Sequence, residues 1–143
     1  MIRFVAHALV IGVALIGCAS VPPAPAVTDA SAKTFMVDAA KANFYIYRND
    51  DSGDAVKTPI LIDNVAAGET VAKTYVFRQV EPGSHVVVSK AETDSVLVID
   101  AKAGKNYFVW QEVKTGKWKA RSRLQLVEET VGKAGVNECK LAQ

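Results

Sequence analysis

Between Lys102 and Arg123 the chain carries seven basic residues, Lys102, Lys105, Lys114, Lys117, Lys119, Arg121 and Arg123, against Glu112 alone, with Tyr107, Phe108, Trp110 and Trp118 interleaved. Ammonium and guanidinium groups beside aromatic rings suit the recognition of anions, because Arg and Lys pair phosphate or carboxylate and ring faces add cation and apolar contact. Trp110, Trp118, Lys119, Arg121 and Arg123 therefore form the candidate binding face. A plainer reading stands beside it, in which strand alternation simply holds lysines and arginines in water and discourages edge-to-edge association.

The other chemistry-bearing residues are sparse. Of two histidines and two cysteines, only His85 and Cys139 lie outside the first 18 residues, too few for a His- or Cys-rich metal site. Ser84, Ser89 and Asp94 are near His85 in sequence, but a catalytic triad is a spatial arrangement, and a histidine at the start of a strand beside a turn reads as a surface or turn-packing residue. Asp50, Asp51 and Asp54 share one polar loop without the spaced ligand pattern of a calcium site, so they read as a solvated turn. Glycines are dispersed singly, which excludes a phosphate-cradling loop. Cys139 reads as a small buried apolar group, with an intermolecular disulfide or a reactive thiol as alternatives. Lys140 is the only adjacent basic group that would activate it. No catalytic residue, cofactor or metal is expected.

The elements that must position these residues follow from polarity patterns. Short alternating runs punctuated by turn residues predict an all-β domain with strands at Ala42–Arg48, Pro59–Asn64, Thr70–Phe77, His85–Lys90, Ser95–Ala101, Asn106–Lys114 and Trp118–Leu126. About seven strands fit a two-sheet antiparallel β-sandwich of the Ig-like or transthyretin-like kind. Breaks are expected at 49–53, 66–68, 81–84, 92–94, 103–105 and 115–117. Glu81-Pro82-Gly83-Ser84 has the pattern of a type II turn, which splays a hairpin and so suits a crossing from one sheet to the other. Phe44 to Tyr47 and Val96 to Ile99 are apolar on both faces, predicting central or doubly covered strands. In the last strand, Ala120, Ser122, Leu124 and Leu126 are expected inward, and Lys119, Arg121, Arg123 and Gln125 outward. After Val127, Gly132 and Gly135 predict only a short helical turn and a coil packed by Val131, Val136 and Leu141.

The first 40 residues read as an address and a leash. Arg3, the apolar stretch from Phe4 to Ile16 and the small residues after it have the form of a signal peptide over residues 1–17. Phe4 to Gly17 would span about 21 Å as a helix, short of a bilayer's roughly 30 Å core, which disfavours a permanent span. The run Leu15-Ile16-Gly17-Cys18 resembles the lipobox of bacterial lipoproteins, which implies acylation of Cys18 and anchoring by several chains. Ala19 and Ser20 after that cysteine, rather than an aspartate, imply by the same resemblance sorting to the outer membrane. Residues 18–40, with Pro22, Pro23 and Pro25, predict a flexible tether of about 26 Å coil-like span and about 70 Å full reach, ahead of a single domain at 41–143.

Lys73 to His85, Ala103 to Val113 and Ala120 to Ala142 resemble a bacterial lipoprotein family known as domain of unknown function 2846. The turn and strand at Pro82 to His85 also look like PEGA-type and transthyretin-like sandwiches. The resemblance implies an envelope location and a β-sandwich and brings no catalytic residues. With 17 basic against 15 acidic residues, whole-chain charge selects no partner. The expectation is a non-enzymatic binding or interaction module, anchored through Cys18 to the outer membrane and facing the periplasm. Its partner would be an envelope protein, lipopolysaccharide or the cell wall, and not nucleic acid. The alternative is a small-molecule or lipid-binding lipoprotein with a pocket between the sheets.

Overall fold

The computed structural model describes residues 21–51, 56–115 and 120–143. Its elements are α1 (Ala26–Ala32), β1 (Ala42–Arg48), β2 (Thr58–Ile62), β3 (Val65–Thr70), β4 (Thr74–Val80), β5 (Gly83–Ser89), β6 (Ser95–Ala101), β7 (Lys105–Thr115), β8 (Ala120–Val127), α2 (Glu129–Asn137) and β9 (Lys140–Leu141). The expected β-sandwich forms, with a five-stranded sheet in the order β8-β7-β1-β4-β9 packed on a four-stranded sheet in the order β3-β2-β5-β6. The five-stranded sheet is mixed rather than antiparallel, since β1 pairs parallel with β7 and β4 parallel with β9.

β1 is the central strand that its two apolar faces predict. All seven of its residues are buried. Phe44 and Ile46 join Ile60, Val76, Val87, Ile99 and Val109 between the sheets. Tyr45 and Tyr47 point the other way, into a second core with Tyr75, Phe108, Val136, Cys139 and Leu141. Tyr45 stacks on Phe108 at 5.0 Å between ring centroids. The molecule therefore has three layers: helices, five-stranded sheet, four-stranded sheet.

Several expectations are corrected. The strand expected at 70–77 is two strands, β3 and β4, separated by a turn at Lys73 with φ 59°. Ala66–Gly68, expected as a break, lies inside β3, where the register with β2 shifts between Ile60 and Leu61. The β2–β3 hairpin turns on Asp63 and Asn64, with φ 50° and 66°, the left-handed geometry of a two-residue turn that Asp and Asn tolerate well. The chain does cross between sheets after Glu81, but through a bend that leads straight into β5 at Gly83, not through a hydrogen-bonded type II turn. Val96 to Ile99 lies on an edge strand, β6, with Val96 59% and Val98 62% exposed. On β8, Leu124 is buried as expected while Leu126 is half exposed.

The short C-terminal helical segment expected after Val127 forms as α2, and its glycines seat it. A Cβ on Gly132 would stand 2.1 Å from Phe108 Cβ, and one on Gly135 2.2 Å from Tyr47 Cε2, so only glycine lets α2 lie this close to β1 and β7. Val136 and Leu141 are buried as expected, whereas Val131 faces solvent.

The tether is corrected from Val21 onward. Val21 is buried, Ala24 N–H donates to Leu141 O at 2.8 Å, and Pro23 bridges Ala142. Asp29 on α1 fastens this segment: its carboxylate accepts from Tyr75 Oη, from Leu141 N–H and from Lys33 Nζ, each at 2.9 Å. Lys33 also donates to Cys139 O at 2.6 Å. Burial alone would raise the Asp29 pKa, but the Lys33, Leu141 and Tyr75 hydrogen bonds outweigh it and hold the carboxyl below its ordinary value. A Pro- and Ala-rich segment that cannot build its own core is ordered here by docking on another's.

Candidate binding face

Antiparallel pairing decides what the β7–β8 hairpin presents. Trp110 lies opposite Gln125, Glu112 opposite Arg123, and Lys114 opposite Arg121, so all six share one face of the sheet. That face is the helix side, where Trp110 and Val127 pack on the second core. Beyond the cover of α2 the face opens to solvent as a shallow depression of about 150 Å³ lined by Glu112, Lys114, Arg121, Ser122 and Arg123. Glu112 and Lys114 form an ion pair at 3.0 Å. Three cations against one carboxylate leave a local excess of positive charge.

The structure thus brings Trp110, Arg121 and Arg123 together. Trp118 and Lys119, like Lys117, fall at 116–119, outside the described residues, as do Cys18 and Asp54. Two of the interleaved aromatics are not on the face. Phe108 is buried in the second core, and Tyr107 turns between the sheets, where its hydroxyl accepts from Lys102 N–H at 2.9 Å and donates to Asp100 O at 3.2 Å.

The inner side of the hairpin is held by a polar chain that sequence reasoning missed. Thr70 Oγ1 donates to Gln111 Oε1 at 2.5 Å, Gln111 Nε2 donates to Ser89 Oγ at 2.8 Å, and Ser89 and Ser122 share a hydrogen bond at 2.6 Å. Thr70, Ser89 and Gln111 are fully buried, where each such bond is costly to lose. Ser122 alternates with Arg121 and Arg123, and Gln111 with Trp110 and Glu112. The chain therefore fixes the register in which the outer face is displayed. Gln111 shares its inward register with Val109 and Val113, and that amide between two valines is the signal available in the sequence.

Elsewhere the chemistry-bearing residues are engaged. His85 Nδ1 meets Asp63 Oδ2 at 2.6 Å and Nε2 meets Glu81 O at 2.7 Å, so acceptors hold both ring nitrogens, and the ring packs edge-on to Phe44. Burial pulls the His85 pKa down, but the hydrogen bonds to Asp63 and Glu81 more than reverse this and raise it. Asp63 is held below its ordinary value by Val86 N–H and by His85. Of the neighbouring triad candidates, Ser89 belongs to the buried chain and Asp94 pairs with Lys90. Asp50 pairs with Arg48, and Asp51 with Lys73 at 3.5 Å. Cys139 is buried, its thiol directed at Arg48 O and its pKa pushed by burial up to about 12.

A family model described as "Protein of unknown function (DUF2846)" matches residues 38–122, from the approach to β1 into β8. A Haemophilus influenzae protein described as "Uncharacterized protein" is 33% identical over 141 residues, covering 96% of this chain and 84% of the relative. No solved structure gives a significant match. Among the described residues no helix is long and apolar enough to cross a membrane.

Proposed function

The chain belongs to the DUF2846 family of proteins of unknown function, and on that premise we propose that it is a lipoprotein anchored through Cys18 to the bacterial outer membrane. Its β-sandwich acts as a non-enzymatic binding module toward an anionic envelope partner. The observation that carries this reading is the shared placement of Lys114, Arg121 and Arg123 on one open face, on the same side of the sheet as Trp110, which packs under the helix layer beside it. The Leu15-Ile16-Gly17-Cys18 run supports the anchor. Because Val21 is packed on the domain and stands three residues beyond Cys18, an anchor at Cys18 lies within about 11 Å of packed chain, which holds the domain beside the bilayer and its anionic headgroups.

Lipopolysaccharide is the probe. Purified chain is expected to bind lipopolysaccharide micelles with an affinity that falls several-fold between about 50 and about 300 mM salt, and R121Q/R123Q to weaken binding by about tenfold. Equal binding by the double variant overturns the assignment of this face. Recovery of Cys18→Ala in the same detergent-extractable membrane fraction as the unaltered chain overturns the anchor.

A further inference from the structure

On β5 and β6 the residues turned away from the sandwich are Val86, Val88, Val96 and Val98, set directly opposite one another as Val86–Val98 and Val88–Val96, with the polar pair Ser84–Asp100 at one end of the row. Leu61 of β2 lies beside Val88, and Pro59 extends the row. None of the described residues covers this face. The free edge of β6 is not the exposed feature, because Ser95 Oγ accepts Leu124 N–H at one end and Tyr107 takes Asp100 O at the other, tying both ends to the five-stranded sheet. What remains open is a broad, flat, valine-rich surface.

We propose that this surface is the contact between two copies of the chain, packed sheet on sheet about a two-fold axis. Shape favours a like partner: a sheet with the common right-handed twist packs on another of the same twist with strands nearly aligned. Composition favours it too. The row holds Val, Leu and Pro without the Trp, Tyr or Arg anchors on which contacts between unlike proteins concentrate their energy. Charge distinguishes the two candidate faces. Around the valine face Lys57 pairs with Glu69 and Lys90 with Asp94, and a two-fold axis running across the strands sets the two Asp100 carboxylates at opposite ends of the contact, so the valines of two copies meet without like charges face to face. The basic β7–β8 face would repel itself.

Area sets the strength. Four strands about 4.8 Å apart and some 20 Å long give a face whose pairing, rim included, removes on the order of 1,000 Å² in total, the lower bound for specific association. The dimer is accordingly weak, with a dissociation constant in the micromolar range. Two identical anchors in one membrane would strengthen it through effective concentration.

The test introduces Val98→Cys in the full chain, with the unaltered chain and Val131→Cys on exposed α2 as controls. Mild oxidation is expected to give at least about tenfold more disulfide-linked dimer for V98C than for either control. Sedimentation of the unaltered chain is expected to show a dimer that grows with concentration and is lost in V96K/V98K. Three results would each overturn the proposal: V98C crosslinking no more than V131C, an unaltered chain monomeric to about 200 µM, or V98C coupling in intact cells to a different polypeptide. The first and third rely only on the conservative cysteine variant, so a misfolded lysine variant does not shield the proposal.

Discussion

Tyr45, Tyr47, Tyr75, Phe108 and Trp110 on the outer face of the five-stranded sheet lie beneath α1, Phe35 and α2, whereas Val86, Val88, Val96 and Val98 on the outer face of the four-stranded sheet meet nothing from the described chain. Both faces are apolar, so what distinguishes them is the machinery that covers one. Two glycines seat α2, the Asp29 carboxylate fastens α1, and Phe35, at φ 56°, packs edge-on to Tyr45 and Phe108. Asn43 and Asn106 hold that turn by donating to Met36 O and Phe35 O. Bulky aromatics left in water would carry a large penalty, and a sequence that supplies them also supplies their cover. Small β-branched residues cost less to expose, and here they are left for contact with another molecule.

The largest effect should come from disturbing the covered face. Gly132→Ala gains up to about 1 kcal/mol of helix propensity but drives a methyl into Phe108, an overpacking cost at the upper end of about 1–3 kcal/mol. Urea unfolding is expected to show a net loss of about 2 kcal/mol. Asp29→Ala comes next. It leaves Tyr75 Oη and Leu141 N–H without their acceptor, and a loss of about 1–2 kcal/mol with faster proteolysis around α1 is expected. Unchanged protease resistance would mean that the segment is held by something other than this clamp.

A smaller, pH-dependent effect belongs to the four-stranded sheet and its crossover. The raised His85 pKa means that its contribution is fully present below its unfolded value of about 6.5 and is lost as pH rises through the folded value. The lowered Asp63 pKa means that its contribution is present above about 3.8 and is lost as pH falls through its folded value. The staple between the β2–β3 turn and the β4–β5 crossover is therefore strongest from about pH 4 to about pH 6.5. His85→Asn should flatten the decline in melting temperature above pH 6.5 without changing the profile of the helix layer. Smallest of all, Val98→Thr should alter stability by no more than about 0.5 kcal/mol, because an open surface position has little packing to lose. A large loss there would place an intramolecular cover over the valine face.

Strand existence was largely legible because β8 keeps period-two polarity and β1, β5, β6 and β7 hold short apolar runs bounded by turn residues. β3 was not, because Val65-Ala66-Ala67-Gly68-Glu69-Thr70 is short and small and reads as a break until β2 pairs with it. The same runs gave no sign of which strand stood at an edge: Phe44 to Tyr47 and Val96 to Ile99 have one pattern, and only tertiary order makes one central and one peripheral. The helix layer was legible only as a short helical turn after Val127, for a related reason. Gly132, Gly135 and the proline-containing segment before Lys41 carry weak local preference for order, and their structure comes from docking on Phe108, Tyr47 and Tyr75. On the binding face, alternation along the last strand set Arg121 and Arg123 on one side, as observed, while Tyr107 left the set because it faces the opposite side of β7 from Trp110, and Phe108, on the same side as Trp110, left it because α2 buries it.

Hydrogen exchange of the full chain at about 5 µM and about 200 µM tests the contrast between the two faces most directly. Amides of β5 and β6 are expected to slow at the higher concentration, while those of β1 and β4 beneath the helix layer stay unchanged. Identical exchange of β5 and β6 at both concentrations would contradict the account, leaving the valine face exposed without a partner copy.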